Sequence, residues 1–292
     1  MREAAMVSGE SPAVARRRLR LALRKAREAR GFTQGQVAED FDWSLSKVQR
    51  IESGDVTVSS TDLKALLAHY DVTDAKRVQQ LVEVARASRR KGWWDQPQYR
   101  EHLTAATLQL LQFETEASAI RVYNPALIPG FLQTTGYAEM ILKNWEQLSE
   151  ADRAVRFEVR MRRRELALTT DSQYYLVLDE SVLHREVGGP EVMVEQLWEL
   201  LRLTGILNFR VRILPFGAGA HLAMLNPFMV LDFGEEENAV LYLEAQMADE
   251  MVNSSERIRL YRERFEAFWD VALTEEDTAS LIRAKAEKLR SK

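Results

Sequence analysis

The chain of 292 residues contains no cysteine and only four histidines. That removes disulfides, thiolate zinc sites, iron–sulfur clusters and cysteine nucleophiles, and it fits a reducing compartment. No apolar run approaches the ~20 residues a membrane helix needs. The start, Met1 to Pro12, is small and polar, with no apolar stretch of signal-peptide length behind it. A flexible tail over residues 1–12 and a cytoplasmic location are expected. Repeats and low-complexity tracts are absent. Disorder is disfavoured too, because 46% of the residues are hydrophobic and 29% charged.

The net charge of −4 looks unfriendly to nucleic acid. It is an average of unlike parts. Residues 1–91 carry 18 Lys+Arg against 12 Asp+Glu, and residues 92–292 carry 22 against 32. A basic third is joined to an acidic two-thirds, which suggests different partners for each. Arg89-Arg90-Lys91-Gly92-Trp93-Trp94 marks the sharpest change of composition. The length fits about two domains, and the expected bounds are 13–91 and 92–292.

The first domain reads as five short helices. Val14 to Ala29 places Leu19, Leu23 and Ala26 on one face, and Gly31 can end it. Thr33 can cap a helix from Gln34 to about Phe41, with Val37, Ala38 and Phe41 inward. Ser44 can cap a third through Ile51. A fourth spans Ser60 to Tyr70 and a fifth Asp74 to Ser88. Two short helices joined tightly make a helix-turn-helix, whose second member puts its N-terminal side chains into the DNA major groove. Here Val37, Ala38, Val48 and Ile51 can lock the pair. Leu45, Ser46, Gln49 and Arg50 are then candidates for the outward positions. The cluster Arg16-Arg17-Arg18-Arg20 with Arg24 reads equally as a DNA-facing or a solvated helix face. Ser44-x-x-Lys47 could be a nucleophile pair, but no Ser-Asp-Asn or Lys-Thr-Gly partner follows.

Thr33-Gln34, Val37-Ala38, Ser44 to Lys47 and Ile51-Glu52-Ser53-Gly54 together resemble the XRE-type helix-turn-helix family, which includes the phage repressors. The likeness covers about residues 14–72 and implies a five-helix, lambda-repressor-like bundle. It places Gln34 at the start of the scanning helix, against the backbone or an outer base. Leu45, Ser46 and Arg50 fall on base-reading positions, with Ser44 and Lys47 near phosphate. Arg50 is the strongest candidate, since its fork can meet a guanine edge bidentately. It also implies a structural pair between Arg27 and Glu52. Gly35, Phe41-Asp42 and Asp55 depart from the pattern, and Asp55 implies modest phosphate affinity.

The second domain reads as α+β with a small sheet. Residues 98–168 look mainly helical, with a loop at Pro125 to Gly130 and helices at Tyr137–Trp145 and Ala151–Leu168. The last carries Arg153, Arg156, Arg160, Arg162, Arg163 and Arg164, which suit either an acidic partner or glutamates of the same domain. Strands are expected at 174–178 and 209–214, a helix from Pro190 to Thr204, and a hairpin of 228–233 with 239–244 around an acidic turn. Asn253 with Glu256, and Thr274 with Asp277, look like helix starts. Asp179, Glu180, His184 and His221 could serve acid–base or metal chemistry, but none stands at a recognised ligand spacing. Gly217-Ala218-Gly219-Ala220 lacks the Gly-Lys-Ser/Thr of a phosphate loop. No catalytic residue, metal or cofactor is therefore assigned, and the chain is not expected to be an enzyme.

Several separated motifs then align in order: Pro129-Gly130-Phe131-Leu132-Gln133-Thr134, Leu178-Asp179-Glu180, Gly188-Gly189-Pro190, Leu214 to His221, Asn226-Pro227-Phe228 and Val240 to Glu244. The combination resembles actinomycete antitoxin-like transcriptional regulators, which join an XRE helix-turn-helix to such a domain. What the resemblance implies is a regulator of double-stranded DNA with a small partner protein encoded nearby. A homodimer is expected, because two copies double a small DNA contact. A small-molecule effector is a further expectation, and a membrane partner is not. The alternatives are a protein acting chiefly through protein–protein contact, or a ligand sensor without catalysis.

Overall fold

The computed structural model describes residues 12–53, 56–89, 92–219, 226–245 and 249–291. Residues 1–11 of the expected tail 1–12, the glycine of the Ile-Glu-Ser-Gly motif, Asp55 and His221 lie outside the described residues, while Pro12 already begins the first helix. The chain divides into two units, one up to Asp95 and one from Gln96.

The first unit contains α1 (Pro12–Ala29), α2 (Gln34–Asp40), α3 (Leu45–Ser53), α4 (Ser60–His69) and α5 (Ala75–Ala87). The starts of α2, α3, α4 and α5 have a local cause. Thr33 accepts from Gln36 N while Gln36 reaches back to Thr33 N, a reciprocal capping box. Ser44, Ser59 and Asp74 accept from Lys47 N, Asp62 N and Lys76 N. The ends share one device. Gly31, Asp42 and Asp71 all take left-handed backbone, with φ of 73°, 52° and 61°. At each, its own amide and the one after it fold back on the last turn. In the α2–α3 turn, Asp42 N bonds Glu39 O at 3.1 Å and Trp43 N bonds Ala38 O at 2.8 Å. Aspartate tolerates the conformation that glycine favours, so the Phe41-Asp42 departure still makes the turn. One core joins all five helices, including Leu19, Leu23, Val37, Val48, Ile51, Leu63, Leu67 and Leu81.

Trp93 and Trp94 fall in this unit. A short 3-10 turn spans Trp93–Asp95, and Asp95 accepts from Gly92 N at 2.9 Å. Trp94 lies so close over Gly92 that a Cβ there would come within 2.2 Å of its ring. Trp94 is buried.

The second unit opens with α6 (Pro97–His102) and α7 (Ala105–Glu114). Its centre is one six-stranded sheet, ordered β3-β2-β1-β4-β5-β6. The strands are β1 (Ala119–Asn124), β2 (Gln173–Asp179), β3 (Phe209–Leu214), β4 (Phe228–Phe233), β5 (Glu235–Leu243) and β6 (Glu250–Val252). β1, β2 and β3 run parallel, and β4, β5 and β6 join antiparallel. Parallel neighbours need long crossovers. These are supplied by α8 (Thr135–Lys143) and α9 (Glu150–Thr169), then by the single-turn α10 (Ser181–His184) and α11 (Pro190–Thr204). Helices α12 (Ser255–Val271) and α13 (Glu275–Arg290) close the chain. Tyr123, Val177, Leu214, Phe228 and Leu241 pack with Ile258, Phe265 and Phe268 of α12 on one sheet face. Ile120, Val122, Leu176, Leu178 and Val211 alternate to the other face and are equally buried.

Three details correct the sequence reading. Residues 119–124 form a strand within the stretch expected to be helical, because they are the middle of the sheet with partners on both sides. The acidic segment after Gly234 is mostly strand, since β5 begins at Glu235 and only Gly234, at φ 85°, makes the turn. Finally, α12 is capped by Ser254, which accepts from Arg257 N, and not by Asn253.

Candidate nucleic-acid interface and the buried charges of the second domain

The α2–α3 pair is held from beneath by one charged network. Arg27 of α1 donates to both carboxylate oxygens of Glu52, at 2.6 and 3.0 Å, and to Phe32 O at 2.6 Å. The two side chains are only 9% and 5% exposed. Bonding to Glu52 raises the Arg27 pKa above its ordinary value although burial opposes it. Burial, with Glu52 next to it, raises Tyr70 to about 12. Gln34 Nε2 also donates to Glu52, at 2.9 Å. The side chain expected at phosphate or an outer base therefore has one end engaged in the network that fixes α3.

Ser44 before α3 and Leu45, Ser46, Gln49 and Arg50 on it are exposed, while Val48 and Ile51 are buried. Leu45 is 46% exposed, a large apolar group in water at the first turn of the helix. That turn presents unsatisfied backbone N–H groups, the positive end of the helix. Its geometry can deliver side chains to base edges and amides to phosphate.

Lys47 stands differently. Its ammonium lies 3.3 Å from Asp62 of α4 and 3.5 Å from the centre of the Trp43 ring. Both contacts share the charge that a phosphate would use. Sequence spacing gives no sign of this pair, since Asp62 lies on another helix. The α1 arginines also differ among themselves. Arg16 donates to Ser88 O at 3.1 Å, and Arg24 pairs with Glu28 at 2.8 Å. Arg17 is buried, and burial with Arg20 nearby lowers it to about 10.

In the second domain two arginines of α9 pair with the domain's own acids. Arg163 makes a bidentate pair with Glu114 of α7 at 2.7 and 2.5 Å. Burial opposes its charge, but Glu114 outweighs it and the pKa rises. Arg164 pairs with Glu199 of α11. Arg160 donates to Arg156 O at 3.2 Å, and burial beside Arg163 lowers it to about 10. Asp179 and His184 are not brought together. Asp179 is buried and accepts from Ser181 N, whereas half-exposed His184 meets Glu180 at 3.3 Å and Lys285 at 3.1 Å. Among the described residues no group of three or more His, Asp and Glu forms a candidate metal site. No helix among them is long and apolar enough to cross a membrane.

A capped helix pair with an exposed second helix, set in a five-helix bundle, defines a helix-turn-helix module, here followed by a mixed α+β domain. A profile described as Helix-turn-helix domain matches residues 18–80. The chain belongs to the family described as Domain of unknown function (DUF5753), whose profile matches residues 107–284. No curated protein and no solved structure matches it. The helix-turn-helix match supports a DNA-binding regulator.

Proposed function

We propose that this protein is a cytoplasmic, sequence-specific transcriptional regulator that binds double-stranded DNA as a homodimer and has no catalytic activity. The reading rests on α3, whose exposed Leu45, Ser46, Gln49 and Arg50 stand on a helix locked by Arg27, Glu52 and Gln34. A rigid scaffold under an exposed reading surface is what base recognition needs. Arg50 serves as the principal base contact, and Leu45 suits a thymine methyl. The second domain pairs the protomers and binds a small partner protein or an effector that alters DNA affinity. The XRE-type and antitoxin-like resemblances support this division of labour.

Fluorescence anisotropy on the protein's own promoter tests the DNA half. Binding should be tighter than to random DNA, and Arg50→Ala should cost about 1–3 kcal/mol with relaxed discrimination at one base position. Equal affinity for promoter and random DNA, unchanged by Arg50→Ala, would remove the case for autoregulation. Co-purification with the product of a neighbouring small gene tests the partner half.

A further inference from the structure

Two opposite charges of the second domain face each other without joining. Arg160 of α9 is partly exposed and donates to Arg156 O at 3.2 Å. Glu244, the first residue after β5, is exposed. Among the described residues neither side chain makes an ion pair, yet each favours the charge of the other. They lie within Coulombic range and beyond ion-pair reach.

Their neighbours leave both charges in surplus. Gly130 opens a 3-10 turn, Gly130–Leu132, that packs on α9. A Cβ there would come within 3.5 Å of Arg160 Cγ and Nε and 3.8 Å of Arg163 Nη1. Arg163 is committed to Glu114, and its charge disfavours that of Arg160. On the other side stands Asp249, just before β6. It accepts from Ala245 N at 3.2 Å, from Thr107 Oγ1 at 3.3 Å and from the buried Tyr242 hydroxyl. Asp249 is therefore satisfied, and it disfavours the charge of Glu244. Burial is nonetheless the first cause that raises the Glu244 pKa, although the residue is exposed. A carboxyl that is wet and still closely surrounded by protein lies in a recess, not on a convex surface. A purely cationic ligand there meets Arg160 and Arg163, and a purely anionic one meets Glu244 and Asp249. A ligand with both charges meets a partner at each end, and charge-assisted hydrogen bonds are about twice as strong as neutral ones.

We propose that this recess binds a small zwitterion of the free amino-acid class, its carboxylate on Arg160 and its ammonium on Glu244. The proposal gives chemistry to the effector role suggested above and rests on that reading only for its consequence in DNA affinity. The site itself is measured on the protein alone.

Glycine, β-alanine and 4-aminobutyrate serve as probes, because they set the two charges at increasing separation. They are titrated into the full chain by calorimetry, beside sodium acetate and methylammonium chloride. At least one zwitterion should saturate one site per chain, and neither singly charged compound should at the same concentrations. Glu244→Gln and Arg160→Gln should each weaken that binding at least about tenfold, because each removes a charged hydrogen bond. Arg160→Lys keeps the cation and should recover part of the loss. Glu244→Gln should leave the melting temperature unchanged, since the side chain is exposed and holds no ion pair, so its effect on binding reads the site and not the fold. Three results would overturn the proposal: no zwitterion saturating, acetate or methylammonium binding as tightly as the best zwitterion, or affinity indifferent to Glu244→Gln. Saturable binding that leaves promoter affinity unchanged in anisotropy would support the site and count against the effector reading alone.

Discussion

Glu52 offers the sharpest test of how the helix-turn-helix is held. Its carboxylate receives Arg27 twice and Gln34 once, with both charged side chains nearly out of solvent. Glu52→Ala leaves the buried Arg27 guanidinium with Phe32 O as a hydrogen-bond acceptor and the half-exposed Glu28 carboxylate 3.6 Å away. Breaking a buried pair on one side costs about 3–5 kcal/mol. For a unit of this size that corresponds to a melting shift of at least about 12 °C. Arg27→Met/Glu52→Leu removes both charges in similar volume, and such replacements are often neutral or stabilising. The double variant should therefore recover most of the loss. Hydrogen exchange with mass spectrometry can read this in peptides of α2 and α3 without interference from the second domain. Protection in Glu52→Ala should fall by about 100-fold or more, given that 1.4 kcal/mol is tenfold. A single-variant cost below about 1 kcal/mol, or a double variant as unstable as the single, would refute the argument that unpaired charge carries the penalty.

Asp62→Asn should strengthen promoter binding by freeing Lys47, and should steepen the salt dependence by about one unit in a log–log plot, which anisotropy across a salt series would show. Gly31→Ala should cost the first domain about 1–2 kcal/mol in thermal or urea unfolding. A Cβ there meets nothing within 4 Å, so the cost comes from the left-handed backbone alone. Asp152 is held down to about 2 by bonds from the Ser149 side chain, His102 and the Ser149 backbone. Its folded pKa lies below the unfolded value of about 3.9. The contribution to capping α9 is thus complete above that value and is lost as pH falls towards about 2. A carboxyl NMR titration should show this low midpoint, and Ser149→Ala should move it up.

The two domains were not equally legible. In the first, four helix starts are written within four residues: Thr33 with Gln36, Ser44 with Lys47, Ser59 with Asp62 and Asp74 with Lys76. Local chemistry decides those boundaries, and a sequence displays local chemistry directly. β1 is the opposite case. Ala119–Asn124 is six residues long, contains an arginine, and becomes a strand because β2 and β4 flank it from over fifty and over a hundred residues away. Nothing local distinguishes Ile120, Val122 and Tyr123 from the interior of a helix, and periodicity is ambiguous for so short a run. β6, three residues long, is fixed in the same way by its pairing with β5.

The same distinction governs the charges. The first domain's basic excess suggested a partner of its own, with the α1 arginines reading equally as a DNA-facing or a solvated face, and a formal charge contributes to phosphate binding only where it is accessible. Arg27 is spent on Glu52, Lys47 on Asp62 and Trp43, and Arg16 on a carbonyl of α5's end, while Arg17 is buried. The exposed side chains along α3 are a compact set, Leu45, Ser46, Gln49 and Arg50, preceded by Ser44 and the backbone amides of the first turn. Such a surface favours recognition of base edges over bulk attraction to phosphate. The acidic domain repeats the pattern with opposite sign, since Glu114 and Glu199 answer Arg163 and Arg164 from other helices.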